Sequence, residues 1–338
     1  MKAAVFQEVG HPLAIQDVPD PTPGEMELVL RVKCCGICGT DLHASSTQGG
    51  VPDGCVMGHE FAGEIVEVGK GVPDHFEVGQ HATSVPAMGC GRCGDCLSGD
   101  VMNCSKIKII GLGREPGAFA EYVRVGSYET LRLPDSLPWD LGALVEPLAV
   151  GLHAVKVADL KPGQNALVLG GGPIGLAVSL WLRFFGLRSV VVSEPTEARR
   201  SLAIQLGATG TVLGGDDLAE EFYAHAGGPP DVVFECVGLP GLLGQCIELA
   251  RPRSKIIVMG LCMAPETIVP AVALAKELNL QFVLAYHKED FSFTIDLLAS
   301  GRLNPEAMVT HRVGLGGLPA AFEALRNPTT QCKVLVEV

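Results

Sequence analysis

Four cysteines, Cys90, Cys93, Cys96 and Cys104, are separated by two, two and seven residues and set among glycines. Thiolates at such short spacing can fold around a single ion, and four in a tetrahedral array suit Zn²⁺. An iron–sulfur cluster is the competing chemistry for closely spaced cysteines. A closed shell of four sulfurs leaves no place for a substrate, so a metal held here is structural. A second set is dispersed along the chain: Cys38 in Cys35-Gly36-Ile37-Cys38-Gly39-Thr40-Asp41, His59 and Glu60 in Gly58-His59-Glu60, and Glu146 in Val145-Glu146-Pro147. Taken singly, a cysteine is commonly a small buried residue, and a histidine a hydrogen-bonded core or surface group. The weight of these residues comes from their occurring together.

A third pattern concerns phosphate. Ala166-Leu167-Val168-Leu169 reads as a buried strand that runs into Gly170-Gly171-Gly172-Pro173-Ile174-Gly175 and then an apolar helix. Gly170, Gly172 and Gly175 fit Gly-x-Gly-x-x-Gly in the strand–turn–helix context that a dinucleotide site requires. The first glycine permits the tight turn, the second lets the backbone approach a pyrophosphate, and the third allows close packing. The helix N-terminus, from Pro173 and Ile174 onward, supplies amide donors and a positive dipole end. Glu194 lies 19 residues beyond Gly175, after a second strand, Val190 to Ser193. A carboxylate there can accept from ribose hydroxyls and repels a 2′-phosphate, which favours NAD over NADP. Arg199 and Arg200 are the counterweight, since cations so placed can flank that phosphate. Gly260 and Leu261, after a strand expected over Lys255 to Met259, complete the expected cofactor positions.

The elements that must position these residues fall into two textures. A chain of 338 residues suggests two domains at roughly 100 to 200 residues each. The first 145 residues or so are rich in Gly and Pro, with short alternating runs at Leu28 to Lys33, Glu64 to Val68 and Phe119 to Val125, as in a β-rich, loop-heavy domain. From about Leu152 strand and helix patterns alternate: strands at 165–169, 189–193, 231–236, 255–259 and Leu280 to Tyr286, helices at Gly175 to Phe185 and Thr196 to Leu206. Such alternation argues for an α/β, parallel, doubly wound sheet. A helix over Phe291 to Ser300 and β-like sequence over Cys332 to Val338 suggest that the tail rejoins the first domain. The expected organisation is 1–150, 151–287 and 288–338.

Composition narrows the partners. Asp and Glu outnumber Lys and Arg by 38 to 25, giving a net charge of −13, and no basic run could track a phosphate backbone, which argues against nucleic acid. The N-terminus lacks the apolar core of a signal peptide. The most apolar helix pattern, Ile174 to Phe185, is well short of the ~20 residues of a membrane span. Twelve cysteines, four of them crowded into fifteen residues of a long chain without a signal, read as thiolate metal ligands rather than disulfides. A soluble, cytoplasmic protein is expected.

The Cys38-Gly-Thr-Asp41 and Gly58-His59-Glu60 motifs, the four-cysteine lobe, Val145-Glu146-Pro147-Leu148-Ala149-Val150-Gly151 and the glycine-rich turn, in this order, resemble the zinc-containing medium-chain dehydrogenases. The pattern covers nearly the whole chain. The resemblance implies a GroES-like, β-rich catalytic domain built from both ends of the chain, with a Rossmann domain inserted between. It implies two zinc ions per chain, one in the Cys90/Cys93/Cys96/Cys104 lobe and one held by Cys38 and His59. Glu60 and Glu146 supply the remaining oxygen chemistry directly or through water, and which of them is the third ligand stays open. One thiolate, one carboxylate and a neutral imidazole bring Zn²⁺ to zero net charge, so that it remains a Lewis acid for an alcohol oxygen. Thr40 and His43 match the family positions that pass the alcohol's proton to solvent, and Asp41 is a carboxylate that orients a ligand.

Glu146 in place of a second thiolate resembles the polyol, threonine and butanediol dehydrogenase branch. The implied activity is reversible, NAD-linked oxidation of a secondary alcohol or diol to a ketone by a homodimer or homotetramer. Sorbitol-type relatives carry an aromatic hydroxyl after the relay histidine and an arginine before a tyrosine late in the coenzyme domain. This chain has Ala44 and Ala285-Tyr286 there. Unpaired buried polar groups cost about 1 to 3 kcal/mol each, so a polyol's extra hydroxyls would be poorly served and a less polar secondary alcohol, diol or cyclic alcohol is expected. Polyol or threonine oxidation is the alternative. A non-catalytic, cofactor-binding descendant is the reading from another class, and it would be expected to have lost Cys38 or His59.

Overall fold

A computed structural model of the chain describes residues 1–328 and 330–338. They divide into two compact units, each considered by itself: Met1–Glu146 with Tyr286–Arg302 and Val309–Val338, and Pro147–Ala285 with Leu303–Met308. The exchanges at Glu146/Pro147 and Ala285/Tyr286 put Glu146 and Tyr286 in the first unit.

The first unit is built on a twisted, mostly antiparallel sheet. Its strands run in the order Val309–Gly314, Lys333–Glu337, Glu27–Gly36, Glu60–Val68, His81–Ser84 and Thr130–Arg132, and Tyr122–Gly126 also pairs with Glu27–Gly36. Glu27–Gly36 carries Leu28, Val29, Leu30 and Val32, β-formers that bury on one or both faces. Leu28, Leu30 and Val32 pack with Phe6, Phe61, Ile65, Phe119, Phe322, Val334 and Val336 into one core. The sheet register decides the chemistry: Gly36 pairs with Glu60 on one side and with Leu335 on the other. Residues from the first fifth of the chain and from its last strand therefore meet at one end of Glu27–Gly36.

The second unit holds a six-stranded, wholly parallel sheet in the order Gly210–Val212, Ser189–Ser193, Asn165–Leu169, Val232–Glu235, Lys255–Val258, Asn279–Phe282. Numbered along the chain this is 3-2-1-4-5-6, the doubly wound order that places a nucleotide crevice beside the first strand. Asn165–Leu169 is buried along its whole length, as a strand covered on both faces must be. Trp181, fully buried on the helix Pro173–Phe184, donates from its indole to the Leu148 carbonyl at 2.8 Å and needs no other polar partner. One strand differs from expectation: the run over Leu280 to Tyr286 leaves the sheet at Phe282. Beyond it the chain turns, and Tyr286 buries against Phe291 of the helix Lys288–Ala299, ring centroids 4.9 Å apart. Among the described residues, no helix is long and apolar enough to cross a membrane.

Candidate active site and metal centres

Cys38 caps the helix Gly39–Ser46. Its sulfur accepts the Thr40 amide at 3.4 Å, while Asp41 Oδ2 accepts the Cys38 amide at 3.0 Å. His59 immediately precedes the strand Glu60–Val68, and register carries it to the same place. The Cys38 sulfur, a His59 ring nitrogen and a Glu60 oxygen all lie within 4.8 Å of one another. Asp41, fully buried, sets its Oδ1 3.2 Å from His59 Nδ1, which turns the other ring nitrogen toward the sulfur. The Asp41 contact is off the line of an aligned hydrogen bond, so both atoms are buried short of a full partner. Burial alone would lower the imidazole's pKa, but Asp41 and Cys38 outweigh it and hold it well above its ordinary value. A thiol, an imidazole nitrogen and a carboxylate oxygen within 4.8 Å of one another fit a divalent metal.

The two glutamates differ. Glu60 gives both carboxylate oxygens to Lys333 Nζ at 2.6 Å. Glu146 lies at the start of the helix Val145–Ala158 and outside the 4.8 Å set. Its Oε1 accepts the Tyr286 hydroxyl at 2.6 Å. Burial pushes the Glu146 carboxyl up to about 7, with His59 and the Tyr286 hydroxyl pulling it down and Glu60 pushing it further up. Thr40 is half-buried and His43 exposed, three residues apart and so on one side of the helix Gly39–Ser46. Lys333 escaped the sequence reading altogether, and Tyr286 entered it only as a departure from sorbitol-type relatives. The one available signal for Lys333 was a lysine set between Cys332 and the apolar run Val334-Leu335-Val336.

The four cysteines of the lobe bring their sulfurs within 4.8 Å of one another. Cys93 caps the short helix Gly94–Leu97 and its sulfur accepts the Cys96 amide at 3.5 Å, and the Cys104 sulfur accepts the Cys90 and Lys106 amides, both at 3.4 Å. Backbone amides of Arg92 and Cys93 draw the Cys90 thiol down to about 6, whereas burial and hydrogen bonds among the thiols push Cys96 up. The buried Glu129 accepts the Gly89 amide at 3.0 Å and anchors the loop's entry. Four sulfurs without a carboxylate fit structural zinc.

In the second unit the Gly170–Gly175 turn opens the helix Pro173–Phe184, with Gly172 as N-cap and Pro173 in its first turn. A Cβ on Gly175 would stand 1.9 Å from the Gly170 carbonyl oxygen, so the turn closes only with glycine. A Cβ on Gly172 would meet nothing within 4 Å, which leaves room beside the helix amides for phosphate. The buried Glu194 accepts the Gly171 amide at 2.9 Å through Oε2 and the Thr196 amide at 2.9 Å through Oε1, with an Arg199 nitrogen 4.0 Å from Oε2. Arg200 is turned to the Glu194 and Pro195 carbonyls. Gly260 packs on the Gly238 backbone at the ends of neighbouring strands, and Leu261 follows it, partly exposed. The cradle fits a dinucleotide.

Comparison with known proteins agrees with this geometry. Residues 24–135 match the alcohol dehydrogenase GroES-like domain, and residues 173–300 match the zinc-binding dehydrogenase family. The chain is 33% identical to (R,R)-butanediol dehydrogenase of Neisseria gonorrhoeae, covering 99% of both. It is 33% identical to L-threonine 3-dehydrogenase of Pyrococcus horikoshii, over 98% of this chain and 97% of that one. A crystal structure of a protein described as a zinc-binding dehydrogenase from Sinorhizobium meliloti, bound to NADP, superposes with a TM-score of 0.89 at 33% identity, over 100% of this chain and 99% of that one.

Proposed function

The chain belongs to the family of zinc-containing medium-chain alcohol dehydrogenases, and from that premise we propose that it interconverts a secondary alcohol or diol and its ketone with NAD as hydride carrier. The observation that carries this reading is the convergence of Cys38, His59 and Glu60 within 4.8 Å, backed by Asp41. Cys38 and His59 hold the catalytic zinc, with Glu60 and Glu146 as the carboxylates beside it, and Cys90, Cys93, Cys96 and Cys104 hold the second ion. Zinc at the first place supplies Lewis acidity that lets an alcohol give up its proton near neutral pH.

The chain's own residues do the rest. Asp41 fixes the His59 ring from behind. The Thr40 hydroxyl and the exposed His43 carry the proton to solvent. Tyr286 holds Glu146 in one orientation. The glycine turn with Pro173 and Ile174, together with Gly260 and Leu261, binds the dinucleotide, and Glu194 takes the ribose hydroxyls. With Glu194 buried at the turn and Arg199 drawn to it, the site supports NAD, although the Sinorhizobium relative holds NADP.

The Tyr286 hydroxyl is committed to Glu146, and Ala44 and Ala285 offer no polar atom, which favours a less polar substrate than a sugar alcohol. The edge strand Asn279–Phe282, with Phe282 69% and Leu284 80% exposed, supports a homo-oligomer in which a second copy covers it. None of the cysteines forms a disulfide, which suits the reducing cytoplasm. The test is reduction of NAD and of NADP with 2,3-butanediol, cyclohexanol, simple secondary alcohols, threonine and sorbitol. Highest kcat/KM with NAD and a butanediol or cyclic alcohol is expected, and preference for threonine or sorbitol would move the substrate to the other branch members.

A further inference from the structure

The helix Gly39–Ser46 carries Thr40 and His43, and at eight residues it is too short to be stable by itself. Its start is held by the Cys38 cap and Asp41. At its end Thr47 is extended and returns its amide to the Ala44 carbonyl. A side chain from the far end of the sequence also reaches that point. Arg326 donates from Nη2 to Ser45 Oγ at 3.1 Å, and from Nη1 to Ser46 Oγ and, at 3.3 Å, to the Leu42 carbonyl. The Ser45 and Ser46 hydroxyls in turn donate to the Leu42 carbonyl at 3.0 and 2.8 Å. The peptide joining Leu42 to His43 is thus the focus of the whole cluster. Arg326 is itself fixed, its Nε donating to Glu323 Oε2 at 2.8 Å and its guanidinium standing 5.5 Å from the buried Phe322 ring. A cation here also complements the negative end of the helix dipole.

We propose that Arg326 is a positioning residue for the proton path: its guanidinium fixes the Leu42–His43 peptide and so the direction in which the His43 side chain leaves the helix. The proposal rests on the reading of Thr40 and His43 as the groups that carry the alcohol's proton. Thr40 sits in the first turn, where the Cys38 cap and Asp41 fix the backbone without help. His43 sits at the other end and is exposed. Among the described residues no hydrogen bond or ion pair holds its ring, so the backbone aims it. A proton passes between groups about 2.6 to 3.2 Å apart or joined by one water, so a shift of about 1 Å at the helix end interrupts the path. Arg326 acts through the helix and not on the reacting atoms.

The test uses the full-length zinc enzyme and compares Arg326→Met with His43→Ala, with zinc content measured for each. Imidazole added to the buffer takes up a proton that a displaced or missing His43 does not, but it repairs no distortion elsewhere in the site. At saturating alcohol and NAD, kcat falls roughly 10-fold in both variants, with KM within about twofold of wild type and zinc unchanged. Added imidazole returns kcat to within about twofold of wild type in both, and the solvent deuterium isotope effect on kcat, raised in both, returns with it. Amide hydrogen exchange over 43–47, read by mass spectrometry, quickens about 10-fold in Arg326→Met. Ser45→Ala/Ser46→Ala, which removes the hydroxyl acceptors and leaves Arg326 in place, gives the same imidazole-sensitive loss and serves if Arg326→Met fails to fold. Wild-type kcat in the Arg326 and serine variants, or a loss that imidazole does not return, overturns the proposal. So does recovery by imidazole of Tyr286→Phe, whose defect lies at Glu146. Wild-type kcat in His43→Ala contradicts the reading of the proton path itself, a result distinct from these.

Discussion

Tyr286 and Glu146, 140 positions apart, meet in a buried hydrogen bond of 2.6 Å from the tyrosine hydroxyl to Glu146 Oε1. Each residue opens or precedes a helix, Val145–Ala158 and Lys288–Ala299, so both are carried on stiff elements. Hydrogen bonds to charged groups contribute about 1.5 to 3 kcal/mol, and a carboxylate deprived of one in a buried place loses its fixed orientation. Tyr286→Phe should therefore lower kcat roughly 10- to 100-fold with a smaller change in KM, read by steady-state kinetics. An unchanged kcat would mean that Glu146 needs no such support.

The same carboxyl links folding to pH in the metal-free protein. Burial raises its pKa from 4.5 to about 7, so the folded chain holds this proton more tightly than the unfolded chain. The resulting stability is fully present below pH 4.5 and is lost as pH rises through about 7. Thermal melts of metal-free protein should show Glu146→Gln gaining stability relative to wild type between pH 5 and 8. Parallel curves for the two proteins would rule out a raised pKa.

The parts of this site that could be read from sequence are those with short spacing. Cys38 to Asp41, Gly58 to Glu60, the four-cysteine lobe and Gly170 to Gly175 each lie within one turn, loop or capping box, where local geometry fixes the relation of neighbours. The strand–turn–helix alternation likewise announced the parallel sheet and the acid at Glu194. Lys333 and Tyr286 were illegible as partners because 273 and 140 residues separate them from Glu60 and Glu146. Only the register that sets Gly36 between Glu60 and Leu335 brings Lys333–Glu337 near the start of Glu60–Val68. The strand expected to continue to Tyr286 failed for a similar reason. Apolar residues after Phe282 satisfy a strand pattern equally well when the chain turns away to bury its tyrosine.

The proposed preference for NAD rests on Glu194, whose carboxylate accepts the Gly171 amide and stands 4.0 Å from an Arg199 nitrogen. Glu194→Ala removes the ribose acceptor and releases that guanidinium to face a 2′-phosphate. kcat/KM with NAD should fall by 10-fold or more, about 1.4 kcal/mol per decade, while that with NADP rises. Equal losses with both cofactors would show that Glu194 only supports the turn.

The four-cysteine lobe is expected to act on stability. Cys96→Ser breaks the closed set of sulfurs and should leave one zinc per chain, with the melting temperature lowered by roughly 5 °C or more, given about 2 to 4 °C per kcal/mol at this size. Activity per folded molecule at low temperature should largely survive. Loss of activity at unchanged melting temperature would instead tie the lobe to the chemistry.

The central claim is that Cys38 and His59 hold a zinc ion on which alcohol oxidation depends. Its most direct test is zinc content per chain, measured beside NAD-linked alcohol oxidation, in wild type and Cys38→Ala. The account predicts two ions in the wild type and one in the variant, with turnover lost by a factor of about 10³ or more, ~4 kcal/mol. The same zinc content in both proteins, or turnover that persists without Cys38, would contradict it.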